Sequence, residues 1–289
     1  MFRERFLLKD EVKEALLNLK NKIIMLIGGS DTGKTRLVEE LLSLFSKDFK
    51  VGVVDTDIGQ SHLGPPTTIA WGCIKGDFRD WQSILVEDFY FVGDISPSGN
   101  LLPTLAGTKI ISDIAKQKVD KLLIDTSGMV RGGAGKALKI CKIDIIQPQV
   151  ILALEREGEL NHILISLRGM KIPKVFIIPV PSQVRQKTYL ERVRYREERF
   201  KSYFRDIQRI ILSEDNISLR GLGGENYLYN NRLISLRNDK GKDLALGIID
   251  GVDRKRRKIS ILTPLKKNEK IAGIVLGRVK INVEGKEIY

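Results

Sequence analysis

The stretch Lys22-Ile-Ile-Met-Leu-Ile-Gly-Gly-Ser-Asp-Thr-Gly-Lys-Thr35 restricts what this chain can fold into more than any other. An apolar run leads straight into Gly28-x-x-x-x-Gly33-Lys34-Thr35, the spacing of a phosphate-binding P-loop set between a strand and a helix. A loop of this kind, here Gly28, Gly29, Ser30, Asp31, Thr32 and Gly33, turns backbone N–H groups toward a polyphosphate. The helix that follows adds the positive end of its dipole. Lys34 then reaches the β- and γ-phosphates, Thr35 ligates Mg2+, and Arg36 completes the candidate nucleotide contacts. Leu37, Leu41, Leu44 and Phe45 recur at helical spacing after the loop, which is the context the motif requires. The expectation is a protein that binds a nucleoside triphosphate, ATP or GTP, together with Mg2+.

From residue 22 onward, apolar runs alternate with helical patterns. Strands are expected at 22–27, 51–55, 88–92, 121–125, 149–154 and 174–179, and helices at 33–46, 104–117, 134–142 and 157–168. Continuous apolar runs suit strands buried on both faces, so the pattern predicts an α/β fold with a parallel sheet flanked by helices. Residues 1–21 read as a short leader helix with Val12, Ala15, Leu16 and Leu19 on one face. Residues 183–208 read as one long, Arg-rich helix. After Ser213 the pattern changes to short strands broken by Gly221, Gly223, Gly224, Asn230-Asn231 and Asp239-Lys240-Gly241, which predicts a small C-terminal β domain, a partly closed barrel.

Two strand ends carry acids. Asp55 and Asp57, in Asp55-Thr-Asp-Ile-Gly-Gln60, lie on one face of an extended segment beside the P-loop strand. One can support a metal ion while the other takes a proton, with Asp55 in the first role and Asp57 in the second. The run Leu122-Leu-Ile-Asp125-Thr-Ser-Gly128 also closes a strand in an acid, so Asp125 is an equal metal candidate, and the residues leave open which carboxylate lies nearest the ion. No Asn-Lys-x-Asp occurs, which weakens a guanine-selective reading. In the basic helix, Arg192 and Arg196 are four apart and share a face, where two guanidiniums can clamp phosphates as a lid. A net charge of +13 fits a polyanionic partner. The sequence lacks an apolar run of about 18 residues, so no membrane span is expected. Two isolated cysteines point to a reducing, cytoplasmic setting, and two scattered histidines do not form a metal cluster.

Taken in order, these motifs resemble the P-loop polynucleotide 5′-hydroxyl kinases of the Clp/Grc type, the RNA kinases of tRNA, mRNA and ribosomal-RNA processing. The likeness spans roughly residues 22–289. It rests on Asp31 within the P-loop, on Asp55, Asp57, Gly59 and Gln60, and on Phe91-Val-Gly-Asp-Ile-Ser96-Pro97. It also rests on Asp125, Thr126, Gly128 and Gly132, on Arg192, Arg196, Tyr203 and Phe204, and on a C-terminal segment around Leu246–Asp250. The resemblance implies an enzyme that moves the γ-phosphoryl of ATP to the 5′-hydroxyl end of single-stranded RNA, or of DNA. Residues 22–212 would be its kinase domain, with 183–208 as the lid, and 213–289 its β domain. It further implies that Asp57 is the base, that Gln60 lies near both metal and nucleophile, and that Ser96 and Pro97 form a clasp on the acceptor strand. Arg192 and Arg196 would act in the lid. Met129 replaces the tryptophan on which the family stacks a base, and thioether packing is a weaker platform. Many members hold adenine with an N-terminal β-sandwich. Here about twenty residues precede the P-loop strand, so adenine contacts are expected from this leader, from residues near Pro181 or from a partner chain. Two other readings stand beside the kinase: a P-loop switch ATPase or GTPase, and a non-catalytic RNA-processing subunit.

Overall fold

Among the described residues, a seven-stranded sheet and the helices around it place the P-loop strand in the sheet interior. The computed structural model describes residues 6–74, 76–221, 229–266 and 269–288. The strands are Ile23–Gly28 (β1), Val51–Thr56 (β2), Thr68–Cys73 (β3), Leu85–Phe91 (β4), Lys121–Thr126 (β5), Val150–Glu155 (β6) and Lys174–Pro179 (β7). The helices are Asp10–Leu17 (α1), Lys34–Phe45 (α2), Leu101–Lys116 (α3), Gly132–Ile146 (α4), Asn161–Leu164 (α5) and Tyr189–Tyr203 (α6). The strand order is β4-β3-β2-β5-β1-β6-β7, with β2, β5, β1, β6 and β7 mutually parallel. β1, β2 and β5 are buried along their whole length, with apolar centres and, in β2 and β5, buried polar residues at the ends.

The two faces of this sheet carry separate cores. Leu37, Val38, Leu41 and Phe45 of α2 and Val12 and Leu16 of α1 pack with Ile24, Leu26, Val53 and Leu123. On the other face, Ile111 and Ala115 of α3 and Ile143 and Ile146 of α4 pack with Met25, Ile27, Val54 and Ile124. Because β1, β2 and β5 are neighbouring parallel strands, the P-loop and both acidic strand ends emerge side by side at the carboxyl end of the sheet's centre.

Several expectations need correction. β3 was not expected, and it runs antiparallel to both β2 and β4, so the sheet is mixed at this end. The helix expected at 157–168 shrinks to α5 and a short 3-10 turn at Ile165–Leu167. The expected helix at 183–208 covers only Tyr189–Tyr203, and a capping box fixes its start: Thr188 Oγ1 accepts from Glu191 N while Glu191 accepts from Thr188 N.

Beyond α6 the chain forms Gln208–Ser213 (β8), Ser218–Gly221 (β9), Arg232–Arg237 (β10), Asp243–Asp253 (β11), Lys258–Thr263 (β12) and Gly273–Lys280 (β13). They make a second sheet in the order β8-β12-β11-β10-β13-β9, antiparallel except for β13 with β9. β8 belongs to this sheet, so its first strand lies before the expected boundary at residue 213. Among the described residues β8 and β9 are its two open edges, in place of the expected partly closed barrel. The expected breaks at Gly223 and Gly224, and residues 1–5 of the leader, lie outside the described residues. A mixed cluster of Phe91, Phe200, Phe204, Leu233, Leu246 and Ile281 joins β4, α6 and the second sheet.

Candidate active site

Asp31 adopts a positive φ of 55° and Gly33 one of 84°, the backbone reversal that turns the P-loop into α2. Gly33 is covered by Phe6 and Val184, so the leader and the segment before α6 both lie against the loop. A cavity of about 220 Å3 opens here. Its wall includes Ser30 to Arg36 of the P-loop and α2, Asp57 and Gln60 from the loop after β2, and Arg185, Lys187 and Arg192 from α6 and its approach. The cationic side chains outnumber the acids, as a polyphosphate site requires. A larger cavity of about 560 Å3 lies at the junction of the two sheets, but its lining of Glu87, Asp88, Tyr203, Lys242 and Glu269 offers no phosphate cradle.

Within the cavity, Lys34 Nζ donates to Gly29 O at 2.6 Å. Burial pulls its pKa below the usual lysine range, while Asp125, Asp57 and Asp31 work against that shift. Thr35 Oγ1 donates to Asp125 Oδ2 at 2.9 Å. Asp125 Oδ1 is buried and makes no hydrogen bond among the described residues. Burial raises the Asp125 pKa, and Lys34 and Thr35 oppose the rise. A threonine hydroxyl beside a buried, unpartnered carboxylate oxygen is a donor set that suits a hard cation such as Mg2+. Gln60 Oε1 is likewise buried and unpartnered, while its Nε2 donates to Gly59 O and to Arg192 O.

The three acids differ by what their oxygens bind. Asp55 Oδ1 accepts from Asp57 N, and Oδ2 accepts from Ser61 Oγ, His62 N and Leu63 N. Asp55 therefore braces the loop 57–63, and it does not line the phosphate cavity. Burial raises its pKa, and Asp125 and Asp57 raise it further. Asp57 uses only Oδ1 on the loop, accepting from Gly59 N and Gln60 N at 3.2 Å, and lines the cavity. Ile95 O lies so close to Gly59 that a Cβ there would collide with it, which seats the loop carrying Ser96 and Pro97 against the Asp57 loop. Ser96 is half-buried and Pro97 buried, and neither lines the cavity. Met129 is half-buried one residue beyond Gly128, which packs on Ser30 of the P-loop.

The two arginines of α6 diverge. Arg192 lines the cavity and pairs with Asp31. Arg196 does not line it: its guanidinium lies in a buried ion pair with Glu287. The expected two-arginine clamp is thus reduced to Arg192, because the neighbouring turn of the helix faces the C-terminal segment.

Sequence reasoning missed two groups. His62 lines the cavity between the rings of Trp81 and Tyr195, each 5.4 Å away, and burial together with Lys187 pushes its pKa down to about 4. Lys139 and Lys142 of α4 are fully buried beneath the acids. Lys139 Nζ donates to Thr126 Oγ1, and Lys142 Nζ donates to Thr56 Oγ1, which in turn donates to Asp125 O. Burial lowers both, Lys142 to about 8. Their signal was present in the sequence: two lysines three apart, on the face that Leu138, Ile143 and Ile146 mark as core.

A strand, a phosphate-cupping loop and a helix, with an acidic strand end facing the loop's threonine, define a P-loop nucleotide-binding protein. The family described as mRNA cleavage and polyadenylation factor CLP1 P-loop matches residues 28–206, and the chain belongs to it. It is 30% identical to the polyribonucleotide 5′-hydroxyl-kinase of Pyrococcus furiosus, over 97% of this chain and 94% of that protein. It is 28% identical to the protein of the same name from Methanocaldococcus jannaschii, over 99% of this chain and 93% of the relative. Clp1p, solved in complex with Pcf11p, shares the fold with a TM-score of 0.76 at 15% identity, covering 93% of this chain and 77% of that one.

Proposed function

We propose that this protein is an ATP-dependent kinase of the 5′-hydroxyl end of RNA. The observation that carries the reading is the convergence of Lys34, Asp57, Gln60 and Arg192 on one P-loop cavity in a chain whose archaeal relatives are named polyribonucleotide 5′-hydroxyl-kinases. Asp57 would take the proton of an incoming hydroxyl, a reading supported by its place in the cavity lining with Oδ1 held by two loop amides. Lys34 and the P-loop amides bind the β- and γ-phosphates, and Arg192 offsets the charge that spreads over the transferring group. The acceptor end would enter beside Gln60 and His62, with the Ser96–Pro97 loop supporting the Asp57 loop from outside the cavity. Thr35, Asp125 and Gln60 would hold Mg2+, with Asp55 acting through the loop it braces. Bound there, the ion would neutralise charge on the β- and γ-oxygens. Among the described residues no group of three or more His, Cys, Asp or Glu side chains is arranged to hold a metal alone, so nucleotide phosphates would complete its shell. Also among the described residues, no helix is long and apolar enough to cross a membrane.

Labelled ATP mixed with a 5′-hydroxyl oligoribonucleotide tests the reading. The expected result is label transfer to that oligomer and none to one already bearing a 5′-phosphate. Lys34→Ala should reduce transfer by about 10²-fold or more while RNA binding persists. ATP hydrolysis without transfer would overturn the reading in favour of a switch ATPase. A deoxyribonucleotide acceptor in the same assay decides whether DNA is also used.

A further inference from the structure

Helix α6 carries two adjacent stripes that face different bodies. Arg192, Tyr195 and Arg199 face the P-loop sheet: Arg192 pairs with Asp31, Tyr195 Oη donates to Ser61 O at 3.0 Å, and Arg199 donates to the carbonyls of His62 and Gly64. Arg196, Phe200 and Tyr203 face the second sheet and the C-terminal turn. Phe200 is buried in the mixed aromatic cluster, and Tyr203 Oη accepts from Leu246 N at 2.9 Å. The Arg196 side chain is 7% exposed and that of Glu287 is 4% exposed, and both Nε and Nη2 of Arg196 donate to the Glu287 carboxylate. Gly285, at φ 80°, lies so near the helix that a Cβ would crowd Lys201 N and Glu197 O, so the C-terminal turn sits directly on the α6 backbone.

We propose that Glu287 is a positioning residue for the transfer reaction: its buried pair with Arg196 is a strut that fixes the rotation and height of α6 so that Arg192 reaches the phosphate cavity. The inference rests on the kinase reading. A buried ion pair contributes little net stability relative to an apolar pair of the same shape, because desolvation of both ions cancels most of their attraction. What it supplies is register. Arg192 and Arg196 are separated by only ~6 Å of helix rise. Glu287 neutralises the guanidinium of Arg196, while Arg192, paired with Asp31 of the P-loop, stays at the phosphate cavity.

The test uses the full chain and three variants, Glu287→Gln, the apolar double replacement Arg196→Met with Glu287→Leu, and Arg192→Met as reference. For each, kcat and the KM for ATP are measured with a 5′-hydroxyl oligoribonucleotide, and amide hydrogen exchange is followed over residues 189–203. Glu287→Gln should lower kcat on the order of tenfold to 10²-fold, as misplaced groups do, with KM for ATP within about twofold and faster exchange in α6. The apolar pair should recover kcat to within about tenfold of the parent and restore protection, since it keeps the helix seated. Arg192→Met should lower kcat on the order of 10³-fold. The strut is overturned if the apolar pair, folded with an unchanged Tm, loses kcat as deeply as Arg192→Met, for then Arg196 itself meets the phosphoryl group. It is also overturned if Glu287→Gln leaves both kcat and exchange unaltered. Should Glu287→Gln not fold, the apolar pair decides alone. A parent chain without transfer activity refutes the kinase reading, while α6 exchange in the variants still decides whether the strut holds the helix.

Discussion

At the scale of single residues, the three acids show how a carboxylate's role follows from what its oxygens already bind. Asp55 accepts four hydrogen bonds from the loop it precedes, whereas Asp57 keeps one oxygen clear of the loop. An asparagine at 55 retains a single acceptor atom and must turn an NH2 group toward donors, so Asp55→Asn should destabilise the protein by about 2–3 kcal/mol. Asp57→Asn should leave Tm nearly unchanged and cut transfer by about 10²–10⁴-fold. Thermal melts and single-turnover rates of the two variants check the contrast, and equal losses of Tm would refute it. The sequence singled out all three acids and gave Asp57 the role of base, but left Asp55 and Asp125 level as metal candidates, because what separates them lies in backbone amides seven and eight residues beyond Asp55. His62 was invisible for the same reason: its partners Trp81, Tyr195 and Lys187 come from distant segments. Its folded pKa near 4 lies below the ordinary 6.5, so between these values the unfolded chain binds more protons. His62 therefore contributes a stability that is intact above pH 6.5 and lost as pH falls toward 4. Its full loss would be on the order of 3 kcal/mol. A His62→Phe chain should lose less Tm between pH 7 and pH 5 than the parent. An equal loss in both would show that other groups dominate the acid limb.

Among the elements, what could be read depended on whether a segment's pattern was its own or was imposed by neighbours. β1, β2, β5 and β6 were legible because a strand buried on both faces has a mostly apolar interior run, whatever polar residues sit at its ends. β3, Thr-Ile-Ala-Trp-Gly-Cys, is apolar after its first residue and fully buried, but it falls between two turns bearing glycine or proline and was not legible as a strand. It is a strand because β2 and β4 pair with it on either side, and it follows the turn at Gly64-Pro65. The start of α6, by contrast, is written in the sequence as Thr188-x-x-Glu191, a capping box embedded in a basic run that continues on both sides of it. The Ser96–Pro97 loop was recognised as a motif, but only the fold shows what it leans on, namely the Asp57 loop through Gly59 and Ile95. That contact is testable. Gly59→Ala puts a methyl group into a backbone carbonyl that cannot step aside, so one loop must shift, at a cost of about 1–3 kcal/mol. Transfer should fall with it, since the displaced loop carries Asp57 and Gln60. Unchanged kcat and Tm in that variant would mean the two loops move independently.

For the molecule as a whole, the question is whether two sheets with separate cores behave as one unit. Asp243, 4% exposed at the start of β11, argues that they do. Its Oδ2 accepts from Phe91 N at the end of β4 in the first sheet, while Oδ1 accepts from Ser235 Oγ and Arg237 Nε in the second. Lys242 pairs with Asp88 across the same junction at 2.9 Å, and Arg278 N donates to Gly93 O. The aromatic cluster around Phe91 and Phe200 lies between them. A change of pattern near residue 213 was visible in the sequence, but nothing there says that one carboxylate is shared by both sheets. This sharing predicts a single cooperative unfolding transition for the parent chain. Asp243→Ala removes the acceptor from both sides at once and leaves the half-buried Arg237 guanidinium to its contact with the Tyr90 ring, at about 1–3 kcal/mol. If Asp243 is the principal link, calorimetry of the variant should split the transition, with the second sheet melting first. Because α6 is seated on that sheet, Arg192 should lose its place over the phosphates at the lower transition. Transfer activity would then follow the melting of the second sheet, ahead of the P-loop sheet. A variant that melts in one transition and keeps its activity to that temperature would show that the aromatic cluster alone couples the two halves.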